Sequence, residues 1–176
     1  MISVISNMPA HFTLLAKATE HDISAITRIY SHYVLNTTFT LEETPPIEEE
    51  MQARWQKCVH KHLPFIVAKQ GEQIVGYAYA TPYRSRSGYR FTLEESVYID
   101  KEYGGQGIGK LLLSEIIKHT SEMGYKQLIA VICGEENQAS IRLHKSLGFT
   151  KAGILKAAGF KHKQWIDTLL MQKVLA

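Results

Sequence analysis

The sequence is poor in cysteine and contains no long apolar run. Its 176 residues include two cysteines, Cys58 and Cys133, whose neighbours form neither a C-x-x-C pair nor a metal knuckle. This scarcity excludes a disulfide framework and predicts buried, reduced thiols. No apolar stretch approaches the roughly 20 residues that cross a bilayer, and residues 1–12 lack the basic start and long apolar stretch of a signal peptide. We therefore expect a cytoplasmic protein without a membrane partner.

The sequence also has only a small excess of positive over negative charge. The net charge is +3, and the basic residues are scattered except for two small groups, Arg84, Arg86 and Arg90, and Lys156, Lys161 and Lys163. A nucleic-acid partner would require a denser basic patch or a recognisable motif, so none is expected, and small anionic ligands fit better. His60 and His62 are two residues apart and do not share a helix face, so we expect no metal site.

Hydrophobic and charged residues occur in average proportions, 45% and 21%. These proportions predict one globular domain over residues 1–176 with a sizeable core. Hydrophobic spacing and turn residues predict the element order β-α-α-β-β-β-α-β-α-β-β, an α/β fold with a mixed sheet. The first helix is predicted at about 20 to 35, where Thr19 and Asp22 form a near capping box.

Three antiparallel strands are predicted after the second helix. Residues 65–68 and 74–80 flank a hairpin turn, and residues 91–99 alternate apolar with polar side chains. The rest of the chain is predicted to form a helix, an apolar strand at 128–133, a helix capped by Asn137, and two last strands at about 152 to 160 and 165 to 174.

A glycine-rich turn follows the strand at 91–99. Residues 104–110 read G-G-Q-G-I-G-K, and bare backbone amides at a helix start bind phosphate. The P-loop spacing is satisfied, but Leu111 stands where a P-loop carries Ser or Thr for magnesium. A dinucleotide-binding loop is excluded as well. It would read G-x-G-x-x-G in the first βαβ unit, whereas these glycines are spaced G-x-G-x-G and lie past the middle of the chain. A plain connection is also disfavoured, because four glycines cost backbone entropy without return.

The remaining match is the pyrophosphate loop of the Gcn5-related N-acetyltransferases (GNAT), which residues 104–109 resemble. Gly104 departs from the Gln or Arg of the family pattern, which removes a side-chain contact but leaves the backbone cradle. Residues 137–149, N-Q-A-S-I-R-L-H-K-S-L-G-F, resemble the family's Asn-to-Gly-Phe segment. The resemblance implies the GNAT acyl-CoA N-acyltransferase fold and acetyl-CoA as co-substrate.

The resemblance is stronger to one branch of the family. Residues 29–34, 37–39, 76–86, 89–98 and 159–167 look like those of phosphinothricin acetyltransferases, and the similarity extends over roughly residues 14–174. It implies an acceptor α-amino group on phosphinothricin, methionine sulfoximine or methionine sulfone, resistance to such compounds, and a homodimer that completes the acceptor pocket.

The family also implies which residues bind acetyl-CoA. The backbone of one strand pairs with the pantetheine arm and polarises the thioester, while loop amides at the helix start hold the pyrophosphate. The cofactor-binding residues implied in this way are Val97, Tyr98, Ile99, Gly105, Gln106, Gly107, Ile108, Gly109, Lys110, Asn137 and Ser140. Lys110 is either a point charge for the phosphates or a solvated helix lysine.

Two residues are the candidates for catalysis. An amine attacks only when deprotonated, so a base is required, and Glu94 matches the family's base on the strand before the glycine loop. Its neighbour Glu95 should point to the opposite face by strand alternation. His144 stands where many relatives place a tyrosine that protonates the thiolate; it could be acid, base partner, substrate ligand or a packing histidine.

For the acceptor, an amino acid with an anionic or dipolar tail requires cations. Arg84 and Arg86 lie on a loop between two strands and offer the planar fork that binds carboxylate or phosphinate. The resemblance adds further acceptor-binding residues, Ser85, Tyr89, Tyr33 and Phe39. Tyr33 also fits a core position at helical spacing.

Two other functions compete with this interpretation. One is an acetyltransferase for a polyamine, an aminoglycoside or a protein amino terminus, which an acidic pocket would favour and the arginines disfavour. The other is a non-catalytic acyl-CoA-binding module, which would have lost the Glu94 and His144 equivalents. Direct transfer without an acyl-enzyme is expected, because neither cysteine has an evident activating neighbour, although Cys133 lies beside the predicted cofactor groove.

Overall fold

A computed structural model describes residues 12–134 and 136–176, so the stretch tested for a signal peptide lies almost wholly outside the described residues. The strands are β1 (Leu14–Lys17), β2 (Phe65–Gln70), β3 (Gln73–Pro82), β4 (Thr92–Ile99), β5 (Gln127–Cys133), β6 (Thr150–Lys161) and β7 (Gln164–Val174). The α-helices are α1 (Ile23–Asn36), α2 (Glu48–His60), α3 (Ile108–Glu122) and α4 (Gln138–Ser146). The predicted α/β element order is confirmed.

The strands form a single mixed sheet. Seven strands lie in the order β1-β2-β3-β4-β5-β7-β6, and the β4–β5 pair is parallel whereas its neighbours are antiparallel. Within the described residues, no helix is long and apolar enough to cross a membrane.

Two predicted boundaries differ from the structure. Residues 20–22 form a 3-10 turn, so α1 itself begins at Ile23. Strand β6 is slightly longer than the predicted span of about 152 to 160. Its pairing with β7 is irregular between Lys151 and Gly153 and between Leu155 and Gly159, so its side chains do not alternate regularly. The capping box before α1 is present: the Thr19 amide donates to Asp22 Oδ2 at 2.8 Å.

Helices cover both faces of the sheet. On one face, the Tyr98 ring of β4 packs edge-on against Tyr30 and Tyr33 of α1, with ring centres 5.1 and 5.2 Å apart. On the other face, a Cβ added at Gly76 would lie 2.8 Å from Ile99 and 3.3 Å from Leu112 of α3. Neighbouring residues of β4 therefore face different helix layers.

The parallel pair at the centre of the sheet separates part-way along. Strands β4 and β5 pair only from Thr92 and Gln127 to Glu95 and Ala130. Strand β5 then stays paired with β7 as far as Cys133. The second half of β4 therefore borders an open gap in the sheet.

Candidate active site

The gap presents backbone hydrogen-bonding groups of β4. The Asp100 amide donates to the Val75 carbonyl, toward β3. Because peptide groups alternate in direction along a strand, those of Val97 and Ile99 point the other way, into the gap. The Ile99 carbonyl accepts a hydrogen bond from the Tyr33 hydroxyl at 2.7 Å. An extended molecule with amide groups could pair with this edge of β4.

The glycine turn lies at the end of the same gap. Gly105 and Gly107 have φ values of 76° and 80°, which glycine adopts without strain, and Gly107 directly precedes α3. A Cβ at Gly109 would lie 3.2 Å from Leu143, so glycine also lets α3 approach α4. The loop thus exposes backbone amides at a helix start, an arrangement that binds phosphate.

A cavity of about 420 Å³, here called the gap cavity, joins these features. It is lined by most of the residues predicted to bind the cofactor, namely Val97, Tyr98, Ile99, Gly105, Gly107, Gly109, Lys110, Asn137 and Ser140. Two predicted residues do not line it: Ile108 is buried in the core, and the Gln106 side chain accepts from Gln70. Tyr33 and Phe39, predicted for the acceptor, line this cavity instead.

A second cavity, of about 320 Å³, lies between α2 and the sheet and is here called the α2 cavity. Its apolar walls include Met51, Phe65 and Tyr79, and the carboxylate of Glu94 also lines it. Ser96 lines both cavities. A group held beside Glu94 would therefore lie near the contents of the gap cavity.

The surroundings of Glu94 suit a base. Burial raises the pKa of this carboxyl above its ordinary value, and the positive charge of Arg84 opposes that rise. A carboxylate with a raised pKa accepts a proton more readily near neutral pH.

The remaining predicted acceptor residues lie on the exposed β3–β4 loop. The guanidinium of Arg84 lies over the Tyr83 ring at 4.4 Å, and the Tyr89 ring meets the same ring edge-on at 5.6 Å. Ser85 and Arg86 are exposed. None of these predicted residues lines the gap cavity or the α2 cavity.

His144 is buried against a carboxylate that the sequence did not single out as its partner. Its Nε2 lies 2.7 Å from Glu95 Oε1, and its Nδ1 lies 2.7 Å from the Ser140 carbonyl oxygen. Burial alone would lower the pKa of His144, but the hydrogen bond and charge of Glu95 outweigh it and raise that pKa. Glu95 and His144 both line the gap cavity.

Comparison with known proteins identifies the family. The model of the acetyltransferase (GNAT) domain matches residues 15–170. The chain belongs to the GNAT acetyltransferase family.

Relatives of this acetyltransferase include two enzymes with named acceptors. It is 48% identical over 156 residues to the phosphinothricin N-acetyltransferase of Alcaligenes faecalis, covering 89% of this chain and 79% of that one. It is 35% identical over 155 residues to the L-methionine sulfoximine/L-methionine sulfone acetyltransferase of Salmonella typhimurium, covering 88% and 90%.

A solved relative has the same fold. The acetyltransferase superposes with a TM-score of 0.90 on the crystal structure of a phosphinothricin acetyltransferase from Sinorhizobium meliloti in complex with acetyl-CoA. The two are 44% identical, and the match covers 93% of this chain and 89% of that one.

Neither thiol of the acetyltransferase is activated. Burial raises the pKa of Cys58 to about 11 and also raises the pKa of Cys133. A protonated thiol is a poor nucleophile. Within residues 12–134 and 136–176, no cluster of three or more His, Cys, Asp or Glu side chains could hold a metal.

The sequence missed Ser96 and the partnership of Glu95 with His144. Alternation along β4 placed Glu95 on the face opposite Glu94, which is where it lies. The missing information was the position of α4, which sets His144 beside that face although the two residues are 49 positions apart.

Proposed function

We propose that the protein transfers the acetyl group of acetyl-CoA to the α-amino group of a small amino acid such as phosphinothricin, methionine sulfoximine or methionine sulfone. The observation that carries this proposal is that Ser96 lines two cavities, one with a glycine loop at a helix start and one with the half-buried carboxylate of Glu94. The names of the relatives and of the complex with acetyl-CoA favour the same donor and acceptors.

Acetyl-CoA fits the gap cavity by its chemistry. Its pantetheine arm carries amides that can pair with the peptide groups of Val97 and Ile99. Its pyrophosphate matches the amides of residues 105–110 at the start of α3, with Lys110 as a nearby positive charge. Phe39 and Tyr33 then contact the donor rather than the acceptor.

Glu94 acts as the base. The acceptor amine transfers a proton to the carboxylate, directly or through water, and its nitrogen attacks the thioester carbon beside Ser96. Backbone amides of β4 stabilise the negative charge that develops on the thioester oxygen. Transfer is direct, because Cys58 and Cys133 are held as neutral thiols.

The acceptor tail is bound by cations. Arg84 is close enough to influence the titration of Glu94, and it presents a guanidinium at the loop where Arg86 also lies. Planar guanidinium groups bind carboxylate and phosphinate through two hydrogen bonds. Lys57 and Lys61 of the α2 cavity add positive charge on the same side of the sheet. This distribution of charge favours an amino acid over a polyamine or an aminoglycoside.

We also propose a cytoplasmic homodimer that confers resistance to phosphinothricin-like compounds. Phe160 and Trp165 are 52% and 68% exposed on neighbouring strands, with ring centres 5.1 Å apart. They lie on β6 and β7, and β6 is an edge strand, so a partner would cover both rings. Buried free thiols fit a reducing compartment.

A panel of acceptors tests the proposed function. Thiol release from acetyl-CoA is measured with phosphinothricin, methionine sulfoximine, methionine sulfone, ordinary amino acids, spermidine and kanamycin, with a control that lacks any acceptor. The first three compounds should give the highest kcat/KM. Turnover of spermidine and kanamycin alone would reject the acceptor class, and binding of acetyl-CoA without turnover of any acceptor would reject catalysis.

A further inference from the structure

A carboxylate and an imidazole lie side by side in the wall of the gap cavity. The side chains of Glu95 and His144 are 2% and 5% exposed, and 2.7 Å separates Glu95 Oε1 from His144 Nε2. Strand β4 supplies the carboxylate and α4 supplies the imidazole. Phe149 packs edge-on against the imidazole, with ring centres 5.0 Å apart. The ring is therefore fixed by contacts on several sides.

Hydrogen-bond chemistry determines how many protons the pair carries. The Ser140 carbonyl can only accept, so Nδ1 of His144 must carry a hydrogen. Nε2 faces a carboxylate oxygen, and a second proton lies between these two atoms. Both ring nitrogens are thus engaged, and neither N–H points to the cavity.

We infer that Glu95 is a positioning residue of the proposed acetyl transfer: it holds His144 as an imidazolium in the wall of the gap cavity, where the fixed positive charge stabilises the departing thiolate. The inference rests on the proposed function. The C–N bond forms, the C–S bond breaks, its electron pair passes to sulfur, and the proton of the amine passes to Glu94. Both protons of the His144 ring stay in place, and the thiolate takes its proton from water after release.

The charges around the cavity favour this role. Glu95 is the one acidic side chain among the described residues that line the gap cavity. The other charged groups lining it are Lys110 of α3 and Arg142 of α4, which are exposed to solvent. Tyr33 and Tyr98 also line it, and burial raises the pKa of both phenols, so they are neutral. Glu95 is thus the local group that can keep His144 charged.

The pair is also sensitive to loss of either partner. Glu95 Oε2 is buried and has no hydrogen-bond partner among the described residues. Removing the imidazole would therefore leave a buried carboxylate without compensation, which destabilises a fold strongly.

Glu95→Gln is the better variant, because an amide oxygen can still accept from Nε2 while the negative charge is lost. Glu115→Gln is the matched control, since Glu115 accepts from His119 at 2.9 Å on α3, outside the gap cavity.

The first test is the titration of bound coenzyme A. Its thiolate absorbance is followed against pH in the wild type, Glu95→Gln and Glu115→Gln, with the apoprotein subtracted. Glu95→Gln removes the carboxylate charge, which by itself would lower the pKa of the bound thiol, and it lets the His144 ring lose its proton, which would raise that pKa. The inference places the ring nearer to the sulfur than the carboxylate, so the pKa of the bound thiol should be higher in Glu95→Gln than in the wild type. Equal values in folded wild type and Glu95→Gln would overturn the inference. This measurement requires no acceptor, so it stands even if the proposed acceptor class fails.

The second test is the pH profile of kcat with the best acceptor. The wild type should lose activity as pH rises through the His144 pKa, and in Glu95→Gln this loss should begin at a pH lower by about one unit or more. The KM for acetyl-CoA should change less than kcat. A merely structural role would lower Tm and leave the falling limb unmoved, which would contradict the inference.

A third measurement does not depend on any variant being stable. The His144 ring is titrated by NMR in the wild type, with its signal assigned through its contact with the Phe149 ring. It should remain protonated above the ordinary histidine pKa of about 6.5. A ring that is already neutral at about pH 6 would overturn the inference.

Discussion

At the scale of single residues, two adjacent glutamates of β4 have different surroundings. Successive strand residues point to opposite faces, so Glu94 lines the α2 cavity while Glu95 reaches His144 in the gap cavity. Burial raises the pKa of Glu94 and leaves it free to take a proton. The negative charge and hydrogen bond of Glu95, by contrast, raise the pKa of His144. In the proposed reaction, one peptide bond thus separates Glu94, which accepts a proton, from Glu95, which keeps a proton on His144.

Substitution of the proposed base should reduce turnover. In Glu94→Gln the amide cannot accept a proton, so kcat should fall roughly 10²-fold or more, while the KM for acetyl-CoA stays close to the wild-type value. Steady-state thiol release measures both constants. Glu72→Gln, an exposed glutamate on the β2–β3 turn, should behave as the wild type. Undiminished kcat at neutral pH would remove Glu94 from this role.

At the scale of elements, the loop between β4 and α3 depends on backbone conformation. Gly107 has a φ of 80° and immediately precedes the first residue of α3. A Cβ added there would meet nothing within 4 Å, so the cost of a side chain arises from the left-handed conformation alone. That cost is about 1 to 2 kcal/mol. The loop would relieve it by changing the direction of its amides.

Gly107→Ala should therefore weaken binding of acetyl-CoA. We expect the Kd to rise roughly ten-fold, because the strain equals the free energy of a ten-fold change in an equilibrium constant. Isothermal titration calorimetry measures the Kd, and circular dichroism checks that α3 is intact.

The control for that variant is Gly71→Ala. Gly71 also has a positive φ, 60°, and an open environment, but it lies on the β2–β3 turn. Both variants should lower Tm by a similar amount, and only Gly107→Ala should lose affinity. Equal affinity for acetyl-CoA in the two variants would show that the conformation of Gly107 does not matter for the donor.

At the scale of the whole molecule, the segment between α1 and α2 is held by distant parts of the chain. Lys161 of β6 is 1% exposed, and its Nζ donates to the Thr40 carbonyl at 2.8 Å. Thr38 donates to the Glu136 carboxylate ahead of α4. A Cβ at Gly159 would lie 2.5 Å from Leu41. These contacts fix the segment that carries Phe39 into the gap cavity.

The same end of the molecule carries the exposed rings of Phe160 and Trp165, which give the last prediction. The wild type should sediment as a dimer, and the double variant Phe160→Ser, Trp165→Ser should shift toward monomer, because burying two aromatic rings contributes several kcal/mol. Analytical ultracentrifugation measures the mass. Leu14→Ser, which changes an exposed apolar residue on the opposite edge strand, should leave the dimer intact. A wild-type monomer, or a double variant that remains dimeric, would contradict this interface.

Local chemistry made several features predictable. Thr19 with Asp22 and Asn137 cap the helices that follow them, since a cap depends on residues only a few positions apart. The glycines of residues 104–109 indicated the loop because few other residues adopt its positive φ values. The alternation of β4 correctly separated Glu94 from Glu95.

The sequence by itself therefore determined the order of the elements, the caps, the glycine loop and the family, because each depends on short-range spacing. Only the tertiary structure decided that His144 meets Glu95, that Tyr33 and Phe39 line the gap cavity, and that Ser96 lines both cavities. These contacts join residues far apart in the chain. They depend on how helices pack across a sheet that opens after Glu95, and no local pattern of side chains specifies that packing.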